Sequence, residues 1–518
     1  MKCIKERILV IAVFAFMVLI GLKFCNDKDG YHVDEIYTCI LSNSEYAPWI
    51  MDIKEGDITS KIITRQELID LITIDETDEF EYGSVYYNQT KDVHPPLYYY
   101  LIHTLSSIFT NSFSKWIGLG LNVIVYLVTI ALLYHLINKF WCDSQNALLV
   151  TVIYGLSNIA LSTLLFIRMY MLLTFFTLLL AYLILEHMKS PRKILYPAIF
   201  VTMFLGMLTQ YYFVIYAFFV CAGYDFFLLL KRKYKSFAGF SIAALSGLTA
   251  MLIYFPHFAT QLSVQKNVSI DKTVRNAQNM NKWLPRFFTM SKEVGSDVKT
   301  GIIIVLILFA LFIVSIIRKT KTINKIRLDE KLLVILPAYI AYIVVCIIAP
   351  YVTVRYVYHL IPIMLLLISY IYDFVVDKSV KKILYYGTLC LTIAISVLFL
   401  RRAKPDYVFN HSEINTFVEE NQEYPCIFVT ENEPAPITSS IPQLLYFDEC
   451  LVTDESGIQD IAEYIEKHDK REKVVVFFTI QPENIDFDLV ENCLSQNGYL
   501  SNETVYENEF YRLYLFYS

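Results

Sequence analysis

Charge is what this chain has least of. Asp, Glu, Lys and Arg make up 18% of its 518 residues and 56% are hydrophobic, against roughly a quarter charged in soluble domains. No basic stripe stands out and the formal charge is −6, which argues against nucleic acid as a partner. The ten cysteines show no C-x-x-C and no His-flanked spacing, so no zinc site is encoded. Cys3, Cys142, Cys221, Cys346 and Cys390 fall in or beside apolar segments, while Cys25, Cys39, Cys426, Cys450 and Cys493 fall outside them. That outer set is odd in number and gives no disulfide framework. There is no G-x-G-x-x-G and no P-loop, which leaves nucleotide binding without support. Neither an internal repeat nor inverted transporter-like halves can be seen. The apolar run Ile8–Leu22, behind Lys2, Lys5 and Arg7, is followed by no small-x-small cleavage site. It reads as a retained first helix with the amino terminus inside, not as a removed signal peptide.

What the chain has in abundance is long apolar runs, recurring over its first four hundred positions as in a polytopic membrane protein. Its 39 Tyr and 36 Phe supply interfacial rings in plenty. Basic clusters at Lys189-Arg192-Lys193, Lys231-Arg232-Lys233-Lys235, Arg318 through Lys331 and Lys378-Lys381-Lys382 read as cytoplasmic. Crossings are then expected at 168–187, 195–210, 212–230, 237–256, 301–317, 332–349, 356–374 and 383–400. The outer segments are the long loop 25–96, a turn near Gln210, the polar stretch 257–300, the Pro350–Arg355 turn and everything after Arg401. Parity requires that either Leu97–Phe109 is only a partial helix or Ala147–Phe166 is broken, and the shortness of the first favours it. The expected fold is a polytopic α-helical membrane protein of about 11–13 transmembrane helices. Residues 1–402 form the membrane domain, and 403–518 form a small extracytoplasmic α/β domain. In that tail, strand-like runs Cys426–Thr430, Leu451–Thr453, Val474–Ile480 and Arg512–Tyr517 alternate with helical periodicity at 457–467 and 486–497.

Candidate chemistry gathers at the ends of the outer segments. Asp34-Glu35 opens the first loop. Such a dipeptide is most often a solvated turn, and on a helix its two side chains diverge by about 100°. They cannot share a proton; one can face a cavity as a base while the other supports it. The loop closes with Asp92-Val93-His94-Pro95-Pro96-Leu97-Tyr98, where the prolines hold the chain extended and fix His94 at the surface. Arg168, in Phe166-Ile167-Arg168-Met169-Tyr170, and Arg355, in Thr353-Val354-Arg355-Tyr356-Val357-Tyr358-His359, interrupt apolar sequence. An Arg so placed either snorkels to the interface or meets an anion. On an α-helix Arg355, Tyr358 and His359 would share a face. Both arginines map to the outer side, where guanidiniums can grip a phosphate in bidentate fashion. Tyr211 and Tyr212, at a short outer turn, are placed to line a sugar site, though the commoner reading is ordinary belt aromatics. The 257–300 stretch, with Lys266, Lys272, Arg275, Asn276, Asn279, Lys282 and Trp283, reads as a lid over a site.

Taken in order, these motifs resemble the GT-C superfamily of glycosyltransferases over roughly residues 8–400. The nearest branch is that of bacterial protein O-mannosyltransferases and lipid A aminoarabinose transferases. The carriers of the resemblance are the Asp-Glu after the first helix, the His-Pro-Pro-Leu-x-Tyr run, Arg-x-Tyr opening a later helix, and Arg-Tyr before the helix containing Pro362. The resemblance implies inverting transfer of a sugar from a polyprenyl-phosphate carrier of the plasma membrane to an acceptor hydroxyl at the outer face. The acceptor class would be a cell-wall polymer, a glycolipid or a protein. It implies Asp34 as the base and Glu35 as its aid in positioning the acceptor. His94, Arg168 and Arg355, with Tyr98, Tyr170 and Tyr356, would bind the substrate and its departing phosphate. Two departures stand out. Gln210 occupies a turn where members often carry His. The Asp-x-Asp of metal-using relatives is matched only by Asp27-Lys28-Asp29, closer to the helix end, so no catalytic metal and no cofactor is expected. The competing class is a polyprenyl-lipid or solute transporter without transferase activity, which leaves the long first loop and the α/β tail unexplained.

Overall fold

The computed structural model describes residues 2–51, 60–141, 143–261, 268–297, 330–375, 381–431, 434–480 and 485–518. The expected crossing at 301–317, most of the Arg318–Lys331 cluster, Lys266, Lys378 and Cys142 lie outside the described residues. The chain clusters into two compact units. The first comprises Met1–Asn26, Asp92–Tyr98 and Gly118–Val408; the second comprises Asp27–Lys91, Tyr99–Ile117 and Phe409–Ser518.

The first unit is that of a multi-pass membrane protein. Five described helices are long and apolar enough to cross a bilayer: Glu6–Asp27, Lys115–Trp141, Tyr170–Lys189, Phe213–Leu230 and Tyr234–Tyr254. Shorter apolar helices occupy Leu195–Thr209, Leu332–Ile348 and Val354–Tyr370. The segment favoured as partial is indeed short, and the other is bent. The helix Leu97–Ile108 has only 12 residues, and Ala147–Phe166 is broken as well. Helices Ser144–Gly155 and Asn158–Leu165 meet at 58°. The break has a local cause: Ser157 leaves the helix, and its hydroxyl accepts the Ala160 amide at 3.2 Å as an N-cap for the second piece.

The second unit joins residues of the first loop to the tail. Its six-stranded sheet runs β1-β3-β2-β4-β6-β5. Here β1 is Lys61–Thr64, β2 Cys426–Val429, β3 Glu449–Thr453, β4 Lys473–Thr479, β5 Ser501–Glu507 and β6 Tyr511–Tyr517. β2 pairs in parallel with β3 and β4, and the other pairings are antiparallel. The edge strand β1 comes from the first loop. Side chains alternate across β2, so Cys426 and Phe428 face one core and Ile427 and Val429 the other. The second core is closed by the tail's own helices through Ile461, Val490 and Leu494. The first core takes Ile36 and Ile40 from helix Val33–Asn43 and Leu68, Leu71 and Ile72 from helix Arg65–Ile72. Burying each such side chain stabilises by about 1.5–3 kcal/mol, so the loop adds to the tail's stability. Cys426 and Cys450 lie side by side as free thiols in that core.

Candidate functional site

In the membrane unit, two of the expected residues, His94 and Arg168, meet in segments between helices, together with Asp92. His94 Nδ1 lies 2.9 Å from Asp92 Oδ2. Arg168, 4% exposed, brings Nη2 to 3.3 Å from His94 Nε2 and 3.4 Å from Nδ1. A nitrogen nearly equidistant from both ring nitrogens lies against the ring instead of making one linear hydrogen bond. Burial by itself would raise the Asp92 carboxyl; the His94 ring, the hydrogen bond to it and Arg168 outweigh burial and hold it below its ordinary value. Asp92 thus orients His94 and balances the local positive charge.

Two polar links, both beyond the reach of sequence patterns, fix this cluster. Asn122, fully buried, donates to the carbonyls of Leu164 at 3.1 Å and Phe166 at 2.7 Å, the last turn before Arg168. Its Oδ1 accepts the Tyr98 hydroxyl at 3.1 Å. Tyr98, expected to touch substrate, is 1% exposed and serves to join the His94 segment to the Arg168 segment. Gln261 donates to the Asp92 carbonyl at 2.7 Å and accepts a hydrogen bond from the Tyr211 hydroxyl. The turn at Gln210 therefore does reach the site, through Tyr211, in place of the histidine that resemblance led one to expect there.

Arg355 belongs to the same unit. Its guanidinium stands 5.9 Å from the Phe166 ring and 5.6 Å from Tyr356, a distance at which a cation is attracted to the aromatic face. Phe166 stacks on Tyr407 at 3.9 Å and on Tyr170 at 5.6 Å, and Tyr212 leans on Tyr356 at 5.1 Å. Tyr170 and Tyr356 are thus walls that hold Arg355's surroundings. One expectation is corrected: Val354–Leu360 is a 3-10 helix. At three residues per turn Arg355 and Tyr358 eclipse, while His359 turns away by about a third of a turn; it is fully buried. The stretch read as a lid is docked, with Asn276 donating to the Ala349 carbonyl at 2.9 Å and Arg286 to Ile347 at 3.1 Å. Both satisfy carbonyls at the end of helix Leu332–Ile348, which have no partner within that helix.

Asp34 and Glu35 lie in the second unit and take opposite roles, as their divergence on a helix requires. Glu35 is fully buried. Its Oε2 accepts the His32 amide at 2.7 Å, closing a capping box, and pairs with buried Lys28 Nζ at 2.9 Å. Lys28 faces the Phe409 ring at 5.2 Å, and its carbonyl accepts from Lys115. Such a residue holds the start of the helix. Asp34, the preceding residue, is 26% exposed. It sits in the first turn of the helix, where backbone amides favour a carboxylate. Of Asp27-Lys28-Asp29, the Asp29 amide donates to the Phe409 carbonyl at 2.8 Å. Among the described residues no three of His, Cys, Asp and Glu gather as a metal site would need.

Residues 93–259 match the family model described as dolichyl-phosphate-mannose-protein mannosyltransferase. The match begins one residue before His94 and takes in Asn122, Arg168 and Tyr211. No curated protein matches the chain. Among solved structures, ArnT from Cupriavidus metallidurans bound to undecaprenyl phosphate aligns with 98% of this chain and 97% of its own, at 12% identity and a TM-score of 0.53. ArnT from the same organism in the apo state aligns with 99% and 98%, at 12% identity and 0.54. At that identity the likeness is one of fold, and it extends from end to end. The resemblance read from the motifs therefore holds.

Proposed function

We propose that this chain is an integral membrane glycosyltransferase that moves a sugar from a polyprenyl-phosphate carrier to an acceptor hydroxyl, with inversion, at the outer face of the plasma membrane. The observation that carries this reading is the Asp92-His94-Arg168 cluster, whose His94 and Arg168 lie within the stretch that matches the mannosyltransferase family. A buried guanidinium packed against a carboxylate-oriented imidazole is preorganised for an anion. As the glycosidic bond breaks, negative charge grows on the leaving phosphate, and fixed cations stabilise it without reorganising. A phosphate departs without protonation, so the site needs no general acid. Arg355 adds a second guanidinium in the same unit. Asp34 is the base that takes the acceptor's proton as its oxygen attacks the anomeric carbon, and Glu35 supports the helix that presents Asp34. The amino terminus is cytoplasmic and the sheet unit outside. The scheme needs no metal or cofactor. The carrier is the class of lipid that ArnT was crystallised with, and the donor is that carrier bearing a sugar on its phosphate; the acceptor is a cell-envelope polymer, glycolipid or protein hydroxyl.

The test is purified protein in liposomes containing polyprenyl-phosphate sugars and candidate acceptors. Sugar transferred, with free polyprenyl phosphate left behind, is the expected result. Movement of carrier lipid across the bilayer with its sugar intact would replace this reading with a transporter.

A further inference from the structure

His32 caps the helix that carries Asp34, and it does so in an unusual way. Its Nδ1 accepts the backbone amide of Asp34 at 3.0 Å. A backbone N–H can only donate, so Nδ1 carries no proton in this arrangement and His32 is neutral. The same Nδ1 stands 3.7 Å from Asp34 Oδ2. One ring nitrogen thus has two neighbours that demand opposite protonation states: the amide needs its lone pair, and the carboxylate would take its proton. Both side chains reach solvent, at 22% and 26% exposure, so a proton can arrive from water.

We propose that His32 is a protonation-dependent positioning residue for Asp34. When neutral, it caps the helix and makes no claim on the Asp34 carboxylate. When Nδ1 takes a proton from solvent, the amide hydrogen bond is lost and Nδ1–H turns to Oδ2, forming an ion pair that lowers the carboxylate's basicity. The acceptor's proton then has no competent base. The inference rests on the proposed role of Asp34.

The charges around His32 are compatible with this exchange. Glu35 holds the His32 backbone amide and is itself neutralised by Lys28. From the tail, the Phe409 ring stands between His32 and His411, at 6.2 Å from one and 5.9 Å from the other. Lys28 and Asp29 both act electrostatically on His411. Lys28 raises the local positive potential but is committed to Glu35. Asp34 Oδ2, 3.7 Å from Nδ1, is the carboxylate placed to pair with the protonated ring.

The experiment compares the pH dependence of sugar transfer, each protein normalised to its own plateau, in the native chain and His32→Asn. Asn retains an N-cap oxygen but has no proton to gain. The native chain is expected to lose turnover through the imidazole range, near pH of about 6.5. In the variant this acidic limb moves down by about one unit or more, toward the carboxylate range. A second readout needs no activity: in ¹⁵N-histidine spectra, with the His32 signal assigned by its loss in His32→Asn, Asp34→Asn should lower the His32 midpoint by about half a unit or more. An unmoved acidic limb together with an unmoved His32 midpoint overturns the proposal. If the native chain transfers no sugar at any pH, the glycosyltransferase reading fails, and the spectra alone decide the His32–Asp34 exchange.

Discussion

In the membrane unit the candidate phosphate ligand Arg168 sits where a helix stops; in the sheet unit the candidate base sits where a helix begins. The two places are secured differently. Arg168 occupies the gap between helices Asn158–Leu165 and Tyr170–Lys189, and its position is set by side chains that reach across to backbone carbonyls, Asn122 above all. Asp34 stands in the first turn of a helix whose start is fixed by a local capping box and one buried ion pair, and whose far face is fastened to the tail's core by Ile36 and Ile40. A helix break leaves carbonyls and cations to be satisfied by distant residues. A helix start satisfies its own groups through the residues beside it. Damage to the first should therefore show as lost ligand grip, and damage to the second as lost fold.

The largest effect on stability is expected from Glu35→Ala. It strands Lys28, fully buried, without its carboxylate, and removing one member of a buried pair costs about 3–5 kcal/mol. Thermal unfolding of the purified protein reads this directly, and a midpoint within a degree of native would remove the contrast between Glu35 and Asp34. Next comes Arg168→Ala, which takes away charge-assisted hydrogen bonds worth about 1.5–3 kcal/mol. Affinity for polyprenyl phosphate should fall by roughly 10- to 100-fold, with Arg355→Ala weakening it less, since that guanidinium is only half-buried. Unchanged binding in both would leave them as structural, ring-packed arginines. Asn122→Leu should destabilise by about 1–3 kcal/mol through two deserted carbonyls and the Tyr98 hydroxyl. It should also weaken carrier binding without touching any ligand itself. The smallest effect concerns Asp92. Because its carboxyl is held below the ordinary value, its stabilising contribution is complete above about pH 4, where the unfolded chain's carboxyl is ionised. That contribution disappears as pH falls through the lowered folded value. Asp92→Asn should flatten the acid limb of a thermal-stability profile below about pH 4; superimposable limbs would deny Asp92 its charge-balancing part.

Much of this was legible in the sequence, for reasons specific to each element. Apolar length and basic clusters reveal membrane helices because the bilayer imposes both, and the strands of the tail show in their alternation. Arg168 and Arg355 stood out because charge is rare here and each interrupts an apolar stretch, Asp34 and His94 because they open and close the first long polar loop. The edge strand β1 was missed, although Thr64-x-x-Glu67 marks the helix start behind it: Thr64 accepts the Glu67 amide and Glu67 accepts the Thr64 amide. β5 escaped because an exposed polar edge carries no apolar face, though the turn at Gly498, with φ of 95°, announces it. The joint core of loop and tail could not be read at all, since pairing between Lys61–Thr64 and Glu449–Thr453 leaves no local signal across so long a separation. Asn122 is a lone Asn in an apolar helix until the carbonyls it serves are seen. Glu35 looked like Asp34's chemical partner, and only burial beside Lys28 separates the two.

The account turns on that separation, and one experiment addresses it most directly: sugar transfer in carrier-loaded liposomes by the native chain and by Asp34→Asn, with the unfolding midpoint of each measured alongside. Loss of a positioned general base should lower turnover by about 10²–10⁴-fold, while the midpoint and polyprenyl-phosphate binding stay close to native. Turnover within a few-fold of native in a folded Asp34→Asn protein would contradict the central claim that this carboxylate takes the acceptor's proton.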